Sequence, residues 1–282
     1  MEAHVHKFFN TPIYVEQIGI YMFATKLHLT FYKNNVDRLS ELHRKIEHKE
    51  KEKREEEAKI RDLLNRVLQE SISLLEEPIN VDLKIKHSKS SLFASTTLKN
   101  GRWHMSVYLD KNKIVDPYYE SKVKGVLQHE VAHIIFTPYR LYQIVTKGLW
   151  YEFPEIDIGE IDVVVNAVED YRVESLFKKA FPESKVNFSA LHTEELENFA
   201  KQFNPNSIRH LLFLALVSCS TTINHPKIAE LEQQIPTELK NLYKEFIDCI
   251  KKTAGKEFES TETAAREILE KIRKENIKSL AR

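Results

Sequence analysis

The sequence predicts an α+β protein that is mostly helical and contains one small antiparallel sheet. Three observations support this prediction. Apolar residues recur at helical spacing along most of the chain, one segment in the first half alternates with a period of two, and an Asn100-Gly101 pair inside that segment indicates a tight hairpin. With 282 residues, of which 42% are hydrophobic, the chain can bury a substantial core.

Charge and composition exclude several classes of protein. The 42 basic and 42 acidic residues balance to a formal net charge of +0, so there is no electrostatic footprint for nucleic acid or for an anionic membrane. No apolar run approaches the roughly 20 residues that span a bilayer, and the N-terminus does not resemble a signal peptide. Cys219 and Cys249 lie far apart, which is typical of reduced core thiols. We therefore expect a soluble, cytoplasmic protein that binds neither nucleic acid nor membrane.

The N-terminal section, residues 1–77, is predicted to be helical from the spacing of its apolar residues. Within it, residues 47–59 read EHKEKEKREEEAK and contain almost no apolar side chain. Such a composition is typical of a solvent-exposed helix with ion pairs between successive turns. We call residues 47–59 the charged arm, and a surface that binds a partner protein is the alternative interpretation.

The predicted sheet follows in INVDLKIKHS, SLFASTTL and RWHMSVYLD. The last of these places Trp103, Met105, Val107 and Leu109 on one face, and the hairpin at Asn100 pairs it with the strand before it. The sequence therefore predicts two or three antiparallel strands directly before a helix. An exposed edge at HMSVYLD would allow an extended peptide to bind by β-addition.

Helices are predicted for most of the remaining chain. One contains VLQHEVAHIIF, a second spans about 160–181, and the last third ends in an amphipathic helix that begins near TETAAREIL. These elements divide the prediction into a core at 78–200 and a helical C-terminal section at 201–282 that packs on the core.

The stretch VLQHEVAHIIF places His129 and His133 four residues apart, so both imidazoles lie on one helix face. Two imidazoles at this spacing suit Zn²⁺, and Glu130 lies beside the first histidine, where it can act as a general base without binding the metal. This is the HExxH motif of zinc metallopeptidases, and it predicts one Zn²⁺ per chain. The alternative is a buried helix with two hydrogen-bonded structural histidines.

A catalytic zinc site needs a third protein ligand and one open position. The second helix offers acidic residues in NAVEDYRVE, with Glu169 as the first choice and Asp170 as the alternative. Glu174, one turn from Asp170, is a candidate supporting carboxylate for a ligating histidine. Ordinary ion pairs with Arg172 on a helix surface are the competing interpretation. Mn²⁺ or Fe²⁺ would accept the same ligand types.

Together, HEVAHIIFT and NAVEDYRVE resemble the metallopeptidase domains that often precede a von Willebrand A module, including the T subunit of aerobic cobaltochelatase. The shared pattern, HExxHxxFT followed by NxxEDxRxE, is matched at His129, Glu130, His133, Phe136, Thr137, Asn166, Glu169, Asp170, Arg172 and Glu174. More broadly the chain looks like a gluzincin, which implies a zincin-like fold with His129, His133 and an acid of the second helix as ligands. Gluzincins often carry a supporting acid four residues after the ligand, a spacing that Asp170 and Glu174 have here.

The predicted function is zinc-dependent hydrolysis of a peptide bond in a peptide or protein substrate. Glu130 would act as base and then as proton donor to the leaving amine, with Tyr171, Arg172 and His192 as candidate donors to the oxyanion. The alternative is a non-catalytic metal-binding scaffold, or a subunit of a larger ATPase-linked assembly, with the charged arm or the C-terminal helix contacting a protein partner. A metal-free helical structural protein is the third interpretation.

Overall fold

The computed structural model describes residues 12–70, 81–88, 92–110, 118–220 and 225–280. The helices are α1 (Pro12–Glu70), α2 (Tyr119–Phe136), α3 (Tyr139–Glu152), α4 (Ile158–Ala180), α5 (Lys185–Ala200), α6 (Ile208–Ser220), α7 (Pro226–Gln234), α8 (Lys240–Lys251) and α9 (Glu259–Leu280). The strands are β1 (Val81–Ser88), β2 (Phe93–Lys99) and β3 (Arg102–Asp110). A mostly helical chain with one small sheet is therefore confirmed. None of the described helices combines the length and the apolar character needed to cross a membrane.

The chain divides into two compact units, Met1–Lys59 and Ile60–Arg282. In the first unit, the charged arm is helical and largely exposed, with ion pairs one turn apart such as Arg54 with Glu50. The predicted boundary between residues 77 and 78 lies outside the described residues. The predicted boundary at residue 200 lies inside the second unit, which contains the HExxH motif and the C-terminal section together.

The sheet has the order β1-β3-β2 and is mixed, which corrects the prediction of an antiparallel sheet. β2 pairs with β3 antiparallel across the predicted hairpin, where Asn100 and Gly101 both have positive φ, at 51° and 74°. β1 instead pairs parallel to β3, with Val81 opposite Trp103. The strand that follows the hairpin, β3, thus lies between the other two, and its Met105, Val107 and Leu109 are all buried.

This central position also corrects the predicted binding edge. Both sides of β3 are hydrogen-bonded to neighbouring strands, so HMSVYLD offers no free backbone to an extended peptide. The edges of the sheet are β1 and β2 instead.

Helix α4 joins the two hydrophobic clusters of the second unit. Its first half, including Val164 and Val168, belongs to a cluster with α3, α6, α8 and α9. Its second half, including Val173 and Phe177, packs in a cluster with the end of α1, the sheet, α2 and α5. Both ends of α4 are therefore buried against different partners, which fixes its rotation about its own axis.

Helices α2 and α5 approach closely at Gly125. A Cβ atom at this position would lie 2.5 Å from the backbone oxygen of Asn187, closer than real Cβ contacts allow. The absence of a side chain at Gly125 therefore lets the two helices pack together just before the HEVAH segment.

Both cysteines are free thiols, as predicted, with Cys249 buried in the core.

Candidate metal centre

Two histidines of α2 and one aspartate of α4 meet at a single point. The Nε2 atoms of His129 and His133 are 3.3 Å apart, and Asp170 Oδ1 lies 3.1 Å from His133 Nε2 and 3.7 Å from His129 Nε2. Ligand atoms bound to one tetrahedral Zn²⁺ at about 2.0–2.1 Å are about 3.3 Å apart, so these three separations suit such an ion. Asn166 donates to the other carboxylate oxygen of Asp170 at 2.9 Å and so orients it.

The hydrogen bonds on the far side of each imidazole fix which nitrogen carries a proton. His129 Nδ1 lies 3.0 Å from Glu174 Oε1, and a carboxylate only accepts, so Nδ1 donates. His133 Nδ1 lies 3.1 Å from Thr137 Oγ1, whose hydroxyl proton is already donated to a carboxylate, so Nδ1 donates there too. When an imidazole is neutral, its Nε2 then carries the lone pair that a metal would accept, and both Nε2 atoms lie beside Asp170. Histidines that bind metals are held in this way by outer partners.

Glu174 is the inner member of a chain of charged groups that leads from the buried Glu174 and His192 to the partly exposed Glu195. Its Oε2 atom lies 2.8 Å from His192 Nε2 and accepts a hydrogen bond from Lys178 at 2.9 Å, while His192 Nδ1 lies 3.0 Å from Glu195. Burial alone would raise the pKa of Glu174, but His192, Lys178 and the bond to His129 hold it well below its ordinary value. Burial opposes the charged form of His192 as well, yet the two glutamates raise its pKa to about 9.

Negative charge is in excess around the two histidines. Burial disfavours a charged His129, but the bond to Glu174 and the charges of Asp170, Glu174 and Glu130 raise its pKa to about 10. The cluster therefore favours a positive charge at its centre. A divalent cation fits both this charge and the donor set of two imidazoles and a carboxylate.

Glu130 is buried, with 7% of its surface exposed. Among the residues that the structure describes, its carboxylate forms no hydrogen bond and no ion pair, although its charge acts on the neighbouring His129. A buried carboxylate without a protein partner is costly unless a ligand or a water satisfies it. A position beside the His129, His133 and Asp170 cluster, with acceptor oxygens available, is what a general base for a metal-bound water would require.

Glu169, the first choice for the third ligand, does not lie with the histidines. Its side chain is fully buried and accepts from Thr137 at 2.6 Å, from Thr261 at 2.7 Å, and from two nitrogens of Arg172 at 2.8 and 2.6 Å. Burial would raise the pKa of Glu169, but the charge and hydrogen bonds of Arg172 and the two threonines lower it. The carboxylate has no capacity left for a metal, and the geometry moves the third-ligand assignment to Asp170.

Arg172 connects the site to distant parts of the chain. Besides Glu169, its guanidinium donates to the backbone oxygens of Phe136 at 2.7 Å and Lys256 at 3.2 Å. The end of α2, the middle of α4 and the segment before α9 are thus joined by one buried ion pair. Thr261 is the third residue of α9, and its hydroxyl donates to Glu169.

These contacts decide among the candidate oxyanion donors. Arg172 and His192 are buried and already bonded to carboxylates, and Tyr171 packs against the core, so none of them faces the Nε2 atoms and Asp170. The phenol of Tyr142 does lie near Asp170: burial, followed by the charges of Asp170 and Glu169, raises its pKa above the ordinary value. Tyr142 also lines a groove of about 760 Å³ whose wall includes Asp170.

Sequence reasoning assigned no role to four residues that support the site. Thr137 and Asn166 already belong to the matched sequence pattern, and they and Lys178 each lie four residues from a site residue, so helical i,i+4 spacing was a second signal for them and the available one for Lys178. Tyr142 lies on another helix and had no such signal.

Comparisons of the chain with protein-family models, with curated proteins and with solved structures found no match. The interpretation of the site therefore depends on its motifs and its own geometry.

Proposed function

We propose that the chain is a zinc-dependent metallopeptidase in which His129, His133 and Asp170 hold one Zn²⁺ and Glu130 is the general base. The observation that carries this proposal is the convergence of two Nε2 atoms and one carboxylate oxygen at separations of 3.1, 3.3 and 3.7 Å. The resemblance of HEVAHIIFT and NAVEDYRVE to gluzincin-like peptidase domains supports the same function. In this assignment Asp170 replaces Glu169, and Glu174 remains the supporting carboxylate.

Zinc, when bound, would polarise the substrate carbonyl and lower the pKa of a coordinated water towards about 7. Glu130 takes a proton from the attacking water and then delivers it to the leaving amine. It has no hydrogen-bond or ion-pair partner within the described part of the chain, which supports this role, because a carboxylate that is already ion-paired is a weaker base. Glu174 and Thr137 keep both imidazoles oriented throughout.

Tyr142 is the donor that we assign to the substrate carbonyl. Its raised pKa keeps the phenol protonated at neutral pH, and it lines the groove beside Asp170. Removing one such donor typically lowers kcat by about 100-fold or more. Tyr142→Phe should therefore reduce kcat strongly and leave the zinc content unchanged, whereas an unchanged kcat would remove Tyr142 from the mechanism.

Metal content tests the site. Mass spectrometry of the purified protein should find about one zinc per chain, and His133→Ala and Asp170→Ala should lose it while remaining folded by circular dichroism. If neither the parent nor the variants contain metal and all are folded, HEVAH is a helix with two hydrogen-bonded structural histidines.

Hydrolysis tests the base. Glu130→Gln should retain zinc and lose cleavage of a mixture of dye-quenched peptides that the parent cleaves. A variant that cleaves them as fast as the parent would show that Glu130 is not the base.

A non-catalytic metal-binding scaffold is the second candidate, and the charged arm is the observation that favours it. This helical segment exposes alternating charges over several turns, a surface suited to a protein partner, for example an ATPase-linked assembly. A scaffold predicts that the parent holds zinc but cleaves no peptide, and that Glu130→Gln behaves like the parent in every assay.

A further inference from the structure

The groove beside Asp170 has a defined direction along α4. Asp162, Asn166 and Asp170 line it at steps of four residues, so they lie on one face of the helix. Eight residues at about 1.5 Å each place Asp162 about 12 Å from Asp170 along the axis. The groove thus leads away from the candidate metal centre towards the start of α4.

The opposite walls come from α3 and α6. A short connection joins α3 to α4, so the two helices run antiparallel, with Tyr142 near Asp170 and Trp150 near the start of α4. Apolar side chains form much of the lining: Trp150, Val163, Ala167, Phe213 and Leu216. A groove with this lining suits the apolar side chains of an extended peptide.

Two cations stand at the distal end. Lys147 lies later in α3 than Tyr142, and Arg209 lies near the start of α4, since a Cβ atom on Gly159 would be 3.8 Å from its guanidinium. Both are exposed, and among the described residues neither forms a hydrogen bond or an ion pair. Among the described residues, the charged side chains that line this end are these two cations and Asp162, while the nearby Asp157 carboxylate lies outside the lining and accepts a hydrogen bond from Gly159 at the start of α4. At the other end, Asp170 would be neutralised by the metal.

We propose that this groove selects substrates that carry a carboxylate about four residues from the peptide bond that is cleaved. The distance follows from the groove, because an extended peptide rises about 3.3 Å per residue and about four residues therefore span the roughly 12 Å from Asp170 to Asp162, at the end of the groove that Lys147 and Arg209 also line. The carboxylate is either an acidic side chain or the C-terminus of the substrate. This proposal rests on the proposed peptidase function and adds a substrate class to it.

Peptide binding tests the proposal without hydrolysis. Zinc-loaded Glu130→Gln protein would be titrated with three peptides that carry an N-terminal rhodamine, and binding would be followed by fluorescence anisotropy. The first is Gly-Phe-Leu-Ala-Ala-Glu with an amidated C-terminus, the second has Gln in place of Glu, and the third has Gln and a free C-terminal carboxylate. Comparing the first and third with the second distinguishes a side-chain carboxylate from a terminal one.

At low ionic strength, one or both carboxylate-bearing peptides should bind about fivefold more tightly than the neutral peptide, and added salt should reduce the difference. Lys147→Glu and Arg209→Glu, each combined with Glu130→Gln, should abolish the preference. Lys244→Glu is the matched control, because Lys244 is an exposed lysine of α8 that does not line the groove. That control should preserve the preference.

The proposal would be overturned if all three peptides bind equally or if none of them binds. It would also be overturned if Lys244→Glu removes the preference as fully as Lys147→Glu and Arg209→Glu do. These outcomes are separate from the test of function. A parent that cleaves dye-quenched peptides while the groove shows no carboxylate preference would keep the peptidase and reject this selectivity. A parent that cleaves nothing, with the preference present and sensitive to Lys147→Glu, would reject the peptidase and retain a carboxylate-binding groove.

Discussion

Exchanging the acids of α4 one at a time should separate metal binding from stability. Glu169 and Asp170 are neighbours in the sequence, yet the first is enclosed by Arg172, Thr137 and Thr261, while the second lies at the histidines. Glu169→Gln should therefore destabilise the fold and keep the zinc. Asp170→Asn should lose the zinc and keep most of the stability.

The size of the first effect follows from burial. Glu169 is 0% exposed and Arg172 is 1% exposed, so Glu169→Gln leaves a buried guanidinium without its counter-charge. Removing one partner of such a pair costs about 3–5 kcal/mol, a large part of the roughly 5–15 kcal/mol that stabilises a typical domain. The side chain of Asp170 is 14% exposed and loses only bonds to partly buried groups, so we expect a change within about 1 kcal/mol.

Urea unfolding followed by circular dichroism, in the presence of a chelator, would measure the free energy of unfolding. Mass spectrometry would count zinc per chain in the untreated protein. Asp162→Asn is the control, an exposed acid on the same helix that should change neither quantity. The reasoning is refuted if Glu169→Gln loses zinc while Asp170→Asn retains it, because Glu169 would then be the ligand.

Three further predictions concern the surroundings of the site. Gly125→Ala should destabilise the protein by about 1–3 kcal/mol, because the new methyl group meets the backbone of Asn187. Gly148→Ala, whose new methyl group has nothing within 4 Å, should stabilise it by up to about 1 kcal/mol. Thermal melts would compare the two variants. Glu174→Gln should weaken zinc binding by about 10–100-fold in a chelator competition, and unchanged affinity would deny it a supporting role. The pKa of His192 in the folded protein, about 9, exceeds the ordinary value of 6.5. The contribution of His192 to the stability of the fold is therefore complete below about pH 6.5 and is lost as the pH rises through about 9. In chelator-treated protein, the urea midpoint of the parent should fall across this interval more steeply than that of His192→Gln; parallel profiles would contradict the assignment.

The part of the site that lies on one helix could be predicted from the sequence. His129, Glu130 and His133 follow one another within two turns, so their common face depends only on helix geometry. The choice between Glu169 and Asp170 could not be made in the same way. Adjacent residues point about 100° apart around a helix, and which of them meets α2 depends on the rotation of α4. That rotation is set by packing against both core clusters, which includes segments far along the chain.

In the sheet, too, the local feature could be predicted from the sequence and the long-range pairing could not. Asn100 and Gly101 predicted the hairpin between β2 and β3, because the turn chemistry is local. The parallel pairing of β1 with β3 was missed, since nothing between residues 81 and 110 states which side of the hairpin the first strand will join. As a result the predicted binding edge became the centre of the sheet.

The contacts of Arg172 and Glu169 with Lys256 and Thr261 impose an order on the maturation of the molecule. The ribosome releases α2 and α4 well before it releases these two residues, which follow Glu169 by more than 80 positions. Until then the buried pair lacks two of its partners, and Thr137, which holds His133, depends on that pair. We therefore expect the cluster of His129, His133 and Asp170 to reach its final geometry only late in synthesis, after the C-terminal section has been released.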